Sequence, residues 1–312
     1  MCNMIKKIPL PISGVMLGFA ALGNLLQSYS ESIRLVCGII SLILGLLLLC
    51  KVVMYPSMIK EDMKNPITAG VSATFPMSIM LLSTYIKPFI GQKAIYIWYL
   101  GILLHLSLII YFSIKFILKF NIKKVFTTYF IVYVGLAVAS VSAPAFEKTN
   151  IGTAAFWFAF TLCIILLVVV TYRYTKYKEI PNPAKPLFCI YAAPVNLCLA
   201  GYIQSVQTKS LILISFLAIL AFITYIMVLF KLPSYLKMSF FPSYSAFTFP
   251  FVISGIATKM TMAYLSKIGY TIVFLKYVVL LQTIVATILV IYTLCRFILF
   301  LIPEKNEHSV TQ

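Results

Sequence analysis

Acidic residues are scarce in this sequence, and they are absent from its hydrophobic stretches. Only seven of the 312 residues are Asp or Glu, and all seven lie between or beyond the apolar segments. They are Glu31, Glu61, Asp62, Glu147, Glu179, Glu304 and Glu307. Transporters driven by protons or sodium commonly place a carboxylate at mid-membrane depth to bind the driving ion. This sequence lacks the group on which such coupling usually depends.

Other absences narrow the function further. No GxxxxGK motif followed by Ser or Thr is present, so ATP-driven transport is poorly supported. The seven cysteines are scattered without a CxxC pair, which disfavours a disulfide or zinc site. The apolar spans contain neither paired acids nor a Cys–His arrangement, so we expect no enzyme and no cofactor or metal. Pro9, Pro11 and Gly14 interrupt the first apolar segment after Lys6 and Lys7, which argues against a cleavable signal peptide.

What the chain has in abundance is hydrophobic length. Hydrophobic residues make up 62% of it, and stretches of about 20 apolar residues match a hydrocarbon core about 30 Å thick. We predict an all-α integral membrane protein with a cytoplasmic N-terminus 1–8, a ten-helix domain 9–302 and a cytoplasmic tail 303–312. The predicted spans are 9–29, 33–54, 67–87, 93–118, 124–146, 150–172, 184–206, 209–230, 240–265 and 268–302.

Prolines within or at the start of the predicted spans occur in every second span. The even-numbered spans are nearly continuous Leu, Ile, Val and Phe, without a proline that breaks them. The odd-numbered spans contain or begin with Pro9, Pro11, Pro66, Pro76, Pro144, Pro194, Pro242 and Pro250. Proline removes a backbone donor and clashes with the preceding turn, and lipid tolerates this only where protein or a water-filled cavity satisfies the freed groups. The alternation therefore predicts odd helices around a polar conduit and even helices facing lipid.

The net charge of +18 is distributed unequally between the two sides. Because ten is an even number of spans, both termini lie on the same side of the membrane. That side has 17 cations: Lys6, Lys7, Lys51, Lys60, Lys64, Lys115, Lys119, Lys123, Lys124, Arg173, Lys176, Lys178, Lys185, Lys231, Lys237, Arg296 and Lys305. The opposite side has Arg34, Lys87, Lys93, Lys148, Lys209, Lys259, Lys267 and Lys276. The positive-inside rule then places both termini in the cytoplasm. Most of these cations are explained by topology and anionic lipid, not by nucleic acid; a subset around a pore mouth would also concentrate anions.

His105 is the one ionisable candidate for a proton relay inside a span. A lone histidine on a helix that otherwise faces lipid is more often a packed, hydrogen-bonded residue, although its ordinary pKa suits a relay. His105 is therefore either a packed, hydrogen-bonded residue or a proton relay. His308 lies in the polar tail and supports no argument.

The odd spans share an internal scheme of small or polar residues before a mid-span proline. Thr74-Phe75-Pro76 in the third span is matched by Thr248-Phe249-Pro250 in the ninth. The fifth and seventh spans have comparable strings ending at Pro144 and Pro194. Short loops join consecutive spans into five hairpins, and Gly14 and Gly18 form a GxxxG pair that lets helices approach closely. Five such hairpins around an axis would give five kinked inner helices and five straight outer ones.

At these residues the chain resembles the tellurite-resistance/dicarboxylate transporter family, which includes bacterial TehA-type proteins and, more distantly, the plant slow anion channels. The resemblance covers nearly the whole chain. It rests on Pro9-Leu10-Pro11 followed by residues 14–22, Asn65-Pro66-Ile67 with residues 73–76, residues 133–140, and residues 245–250. It implies five helical hairpins in quasi-fivefold arrangement around a pore, commonly as a homotrimer.

The resemblance also implies a phenylalanine of the ninth helix that plugs the pore. That residue falls most naturally at Phe249, with Phe247 and Phe251 as alternatives in register, and Phe75 is a second candidate for the constriction. A phenyl ring beside a kink dewets a narrow pore, which is a known way to gate. The other predicted pore-lining residues are Gly14, Gly18, Ser72, Thr74, Pro76, Ser140, Ser142, Pro144, Pro194, Ser245, Thr248 and Pro250. Lys259 is either a vestibule charge or a side chain that snorkels to the interface.

These features favour a passive anion channel, or channel-like permease, in the cytoplasmic membrane. Inorganic or small organic anions would be its partners, together with the bilayer and two further copies of the chain. The alternative is a secondary carrier for C4-dicarboxylates such as malate, or a tellurite-resistance transporter. Arginine pairs that would hold two carboxylates bidentately are missing from the spans, which disfavours a dedicated dicarboxylate site.

Overall fold

The computed structural model describes residues 2–302, and these fold into helices. The predicted tail 303–312, with Glu304, Lys305, Glu307 and His308, lies outside the described residues. Along the chain the α-helices are Cys2–Lys7, Ile12–Leu26, Glu31–Met54, Pro56–Asp62, Pro66–Ser72, Thr74–Ile90, Ala94–Phe112, Thr128–Val134, Ala137–Ser142, Thr149–Lys176, Ala193–Ser205, Leu211–Leu236, Phe249–Lys267 and Val273–Leu301. A π-helical turn, Ser113–Ile117, and 3₁₀ segments at Gly91–Lys93, Ile122–Lys124, Ala143–Phe146, Asn182–Ala192 and Pro242–Phe247 complete them.

Several boundaries differ from the prediction. The helix of the first span, Ile12–Leu26, begins only at Ile12, because Pro9 and Pro11 precede it instead of lying inside it. The eighth span is longer than predicted, since Leu211–Leu236 continues through Pro233 without a break. The short helices Cys2–Lys7 and Pro56–Asp62 were not predicted. Their few turns are too short for a hydropathy pattern to reveal.

The helices are long and apolar enough for a multi-pass membrane protein. Within residues 2–302, seven helical segments have the length and composition to cross a bilayer, or eight if the bent pair around Gly135 is one span. One of them, Pro66–Ile117, has 52 residues. At 1.5 Å per residue that is about 78 Å, more than twice a hydrocarbon core, and Gly91 turns it back with a φ of 64°. Ile12–Leu26, with 15 residues, is shorter than a typical span. The count of ten stays a prediction.

The odd-numbered spans form a closed inner ring. Each odd span contacts the next one along the chain, and the ninth contacts the first, so the ring is complete in the order 1–3–5–7–9. Each even span packs on its own hairpin partner and on one neighbouring odd span. In the most apolar stretches of the seventh and ninth spans, 89% and 72% of the residues are buried. In the even spans the buried share is at most 39%. The predicted division into inner and outer helices therefore matches the burial.

Four of the five inner spans are interrupted near mid-length, whereas the first is one continuous helix, Ile12–Leu26. The α-helix of the third is interrupted at Ala73, the seventh passes from 3₁₀ to α-helix after Ala192, and the ninth passes from 3₁₀ to α-helix at Thr248, which has φ −98° and ψ −92°. The fifth bends by 49° around Gly135. In the third, seventh and ninth spans a proline follows the break by one to three residues, where its missing N–H costs little.

Side chains satisfy the carbonyl groups that these breaks free. Thr74 Oγ1 donates to the Val71 carbonyl oxygen at 2.7 Å. Asn196 Nδ2 donates to the Ala192 carbonyl oxygen at 2.7 Å. Unpaired backbone groups are costly in lipid, so these short polar side chains are what allow broken helices at this depth.

Candidate functional site: an axial path with an apolar constriction

The first cavity on the ring axis lies between the N-terminal halves of all five odd spans. We call it the N-side cavity. Among the predicted lining residues it is bordered by Gly14, Thr74, Pro194, Ser245, Phe249 and Pro250. The rest of its wall is largely apolar, with Leu, Ile, Val, Met and Phe side chains. Such a wall offers an anion little direct coordination.

A second cavity lies between the C-terminal halves of the same spans. This C-side cavity has about 1000 Å³ of empty space. Of the predicted lining residues, Ser142, Pro144 and Phe249 border it. Its wall also carries polar side chains that were not predicted to face the axis, namely Asn24, Gln27, Arg34, Thr84 and Gln204. It is the larger and more polar of the two axial cavities.

Phe249 and Leu197 border both cavities. Phe249 is the first residue of the helix that follows the break at Thr248, and Leu197 lies one turn after Pro194 in the seventh span. Both side chains are buried. The two cavities therefore adjoin at a pair of apolar side chains from neighbouring inner helices.

The neighbouring phenylalanines of the ninth span have different surroundings. The Phe247 ring packs on Tyr244 with centroids 4.7 Å apart, and the Phe251 ring packs edge-on against Tyr225 at 5.8 Å. Both are fully buried, and neither borders an axial cavity. Of the three candidate registers, only Phe249 faces the axis.

The third span presents a different face than predicted. Val71, Thr74 and Met77 face the N-side cavity at three-residue spacing. Ser72, Phe75 and Pro76 instead border a crevice of about 980 Å³ between the second, third and fourth spans. Each residue turns a helix by about 100°, so these three lie on the far side of the stripe that contains Thr74. The repeated Thr-Phe-Pro string thus occupies different positions relative to the axis in the two spans.

Three more predicted lining residues lie at helix contacts. Ser140 Oγ donates to the Gly152 carbonyl oxygen of the sixth span at 2.6 Å. Thr248 Oγ1 donates to the Gly14 carbonyl oxygen at 2.8 Å. A Cβ added at Gly18 would lie 2.5 Å from Thr248 Cβ, so Gly18 allows the first and ninth spans to meet. These residues close the ring and do not border the axial cavities.

Leu197 and Arg34 border the axial cavities but were not predicted to do so. Leu197 lies on an apolar span, and hydrophobicity alone does not distinguish an axial leucine from a packed one. Arg34 was counted only as a charge on one side of the membrane. A weak signal was present in both: Leu197 follows a mid-span proline by one turn, and Arg34 is the cation nearest the start of its span.

Cations also lie at both ends of the ring. A cleft at the N-terminal end is bordered by Lys6, Lys7, Lys51 and Asp62. Lys51 is buried and donates to the Ile8 carbonyl oxygen, and burial raises the pKa of the Asp62 carboxyl although the Lys51 charge acts in the opposite direction. At the other end, Lys259 Nζ donates to the Leu25 carbonyl oxygen at 3.0 Å. Lys259 therefore binds the C-terminal turn of Ile12–Leu26. It does not border the C-side cavity.

His105 has a structural partner in the fifth span. It is fully buried, and its Nε2 lies 2.9 Å from the Val132 carbonyl oxygen. The bend at Gly135 leaves that carbonyl without its usual helical donor three to four residues on, so His105 compensates for the bend. It does not border either axial cavity. Among the described residues, no group of three His, Cys, Asp or Glu side chains is arranged to hold a metal.

Comparison with known proteins supplies one match. The sequence model of the SLAC1 family, described as voltage-dependent anion channels, matches residues 7–298. The match spans all five predicted hairpins and ends within the last helix, Val273–Leu301. A comparison with curated proteins gives no match.

Proposed function

Because the chain belongs to the SLAC1 family of voltage-dependent anion channels, we propose that it is a passive anion channel gated by the ring of Phe249. The observation that carries this proposal is the position of Phe249 between two cavities on the axis of a five-helix ring. A hydrophobic constriction blocks ions by excluding water. Rotation of one side chain between rotamers costs on the order of 1 kcal/mol, so the path opens without moving helices.

Selectivity would come from weak electrostatics distributed along the path. The N-side cavity supplies Thr74 and Ser245, and the C-side cavity supplies Arg34 with several amides. Basic clefts at the ends raise the local concentration of anions. Ions that bind weakly at several sites also leave readily, which conduction requires. Small inorganic anions and small carboxylates are the permeant class we propose.

We place the protein in the cytoplasmic membrane with both termini inside. The excess of Lys and Arg at the N-terminal ends of the odd spans supports this orientation. The N-side cavity then opens toward the cytoplasm and the C-side cavity toward the outside. A homotrimer with one pore in each subunit is the assembly that the family resemblance implies.

Flux measurements in proteoliposomes test the proposal. With no carboxylate at mid-membrane depth, chloride and nitrate flux should follow the anion's own electrochemical gradient. It should persist when proton and sodium gradients are collapsed by ionophores. The alternative, a carrier for malate-like dicarboxylates or tellurite, requires the opposite result. Uptake of malate that stops with a protonophore, together with no uncoupled chloride or nitrate flux, would establish the carrier.

A further inference from the structure

The C-side cavity contains one buried cation. Among the described residues that border it, Arg34 is the charged one. The Arg34 side chain is 8% exposed, although it lies in the first turn of Glu31–Met54, the helix of the second span. Placing a guanidinium away from water is costly unless its donors are satisfied. The contacts of Arg34 therefore show what the site is built to hold.

Three protein acceptors hold the guanidinium in place. Nε donates to Asn24 Oδ1 at 3.2 Å, and Nη2 donates to the Thr84 carbonyl oxygen at 3.3 Å. The guanidinium carbon lies 4.4 Å from the centroid of the Tyr85 ring. These contacts link the first, second and third spans and fix the orientation of the group.

The third acceptor is a carboxylate with a different character. Nη1 donates to Glu31 Oε1 at 2.6 Å, and the Glu31 side chain is 53% exposed. The Glu31 carboxylate is half-exposed, so water and dissolved anions reach it, although its partner Arg34 is buried. Glu31 is therefore the one partner that water or another anion displaces readily, whereas Asn24 and Thr84 lie within the helix bundle.

The donor count leaves room for a ligand. A guanidinium carries five N–H groups in a fixed fork that matches carboxylates and similar oxyanions. Three of the five have the acceptors described above. Within residues 2–302 the other two have no protein acceptor, and Arg34 borders the C-side cavity together with Asn24, Gln27 and Thr84.

We propose that Arg34 is the anion-binding residue of the C-side cavity, and that Glu31 competes with the permeant anion for it. The inference rests on the proposed channel function and adds a site to it. The ligand class is small monovalent anions, with planar oxyanions such as nitrate preferred over chloride because they match the fork. Glu31 acts as a tethered carboxylate that lowers occupancy of the site.

Currents across planar bilayers that contain the full-length protein test this site. Nitrate or chloride is titrated on the side of the C-side cavity, and the concentration that gives half-maximal current is measured. Glu31→Gln should lower that concentration severalfold, because the tethered carboxylate no longer occupies an Arg34 donor. Arg34→Gln should raise it severalfold, with a larger change for nitrate than for chloride. Titration from the opposite side should change less.

A matched control is available at the other end of the protein. Glu61 and Lys64 form an ion pair with the same i,i+3 spacing and the same 2.6 Å distance. Both side chains are exposed, at 71% and 63%, and neither borders the C-side cavity. Glu61→Gln should leave the half-maximal concentration unchanged on either side.

Arg34→Gln removes contacts to three helices and risks misfolding, so Glu31→Gln decides the matter on its own. It preserves the hydrogen bonds of Arg34 to Asn24 and Thr84. Wild-type current with half-maximal concentrations unchanged in Glu31→Gln would overturn the inference while leaving the channel intact. Absence of passive anion current in both the wild type and Phe249→Ala would instead overturn the channel function itself.

Discussion

Leu197 of the seventh span and Phe249 of the ninth border both axial cavities, so two apolar side chains lie where the two cavities adjoin. The helical breaks next to Pro194 and Pro250 position this pair. A break changes the direction of the chain and allows the first turn after it to project toward the axis. The proposed gate therefore depends on the broken helices.

Phe249→Ala should raise anion conductance severalfold or more. The ring borders open space on two sides, so its removal widens the path instead of leaving a closed cavity in a packed core. Single-channel or macroscopic current in planar bilayers is the measurement, with expression and assembly checked by size-exclusion chromatography. Unchanged or lower current in a well-assembled Phe249→Ala protein would contradict the gate.

Phe247→Ala and Phe251→Ala are the matched controls for that experiment. Both rings are fully buried against tyrosines, and truncation of a packed phenylalanine costs about 3–5 kcal/mol. These variants should unfold at lower temperature in detergent and should not carry more current than the wild type. A gain of current in either one would move the gate to that position.

Leu197→Ala should raise conductance as well, but by less than Phe249→Ala, because the leucine side chain is smaller. The double variant should conduct more than either single variant if both side chains narrow the same point. Current from all three variants, measured at equal protein density, checks this. Conductance of Leu197→Ala equal to the wild type would remove Leu197 from the constriction and leave Phe249 alone.

Gly18→Ala should destabilise the ring where the first span meets the ninth. The added Cβ would lie 2.5 Å from Thr248 Cβ and 2.8 Å from its Oγ1, so the two spans must separate. Such overpacking costs about 1–3 kcal/mol. Thermal unfolding in detergent, followed by tryptophan fluorescence or a thiol dye, should show a lower midpoint.

Gly255→Ala is the control for Gly18→Ala. It lies on the ninth span, where the nearest atom to an added Cβ is a terminal carbon of Leu25 at 3.1 Å. A flexible leucine end yields by a few tenths of an ångström, so the midpoint should stay close to that of the wild type. Equal midpoints for Gly18→Ala and the wild type would show that the first and ninth spans do not pack as described.

The orientation is checked by cysteine labelling of intact cells. Lys60, Lys148 and Lys176 are exposed, so a cysteine at each position is accessible from its own side. A membrane-impermeant maleimide should label Lys148→Cys from outside and should not label Lys60→Cys or Lys176→Cys. The unsubstituted protein provides the background from its native cysteines. Outside labelling at position 60 or 176 would reverse the topology.

Native mass spectrometry in mild detergent checks the assembly. Three copies are expected from the family resemblance, and each subunit should keep its own five-helix ring. A monodisperse monomer or dimer would remove the trimer without affecting the pore, because every residue of the constriction belongs to one chain.

The division into inner and outer helices was predictable from the sequence because that information is local. Hydrophobic length indicates helices that cross a membrane, and the alternation of prolines distinguishes inner from outer helices. Both follow from the chemistry of single residues in lipid. The buried odd spans and exposed even spans of the structure agree with that prediction.

What the sequence could not determine is which face of each inner helix meets the axis. Thr74-Phe75-Pro76 and Thr248-Phe249-Pro250 are the same three letters, yet Phe75 borders a peripheral crevice and Phe249 the axis. The break falls at Ala73, before the threonine, in one span and at Thr248 itself in the other. A shift of one residue rotates a helical side chain by about 100°, and contacts between spans decide that rotation. The same contacts turn Arg34 into the C-side cavity and bring Leu197 beside Phe249, because only packing among distant spans determines which side chains share a space.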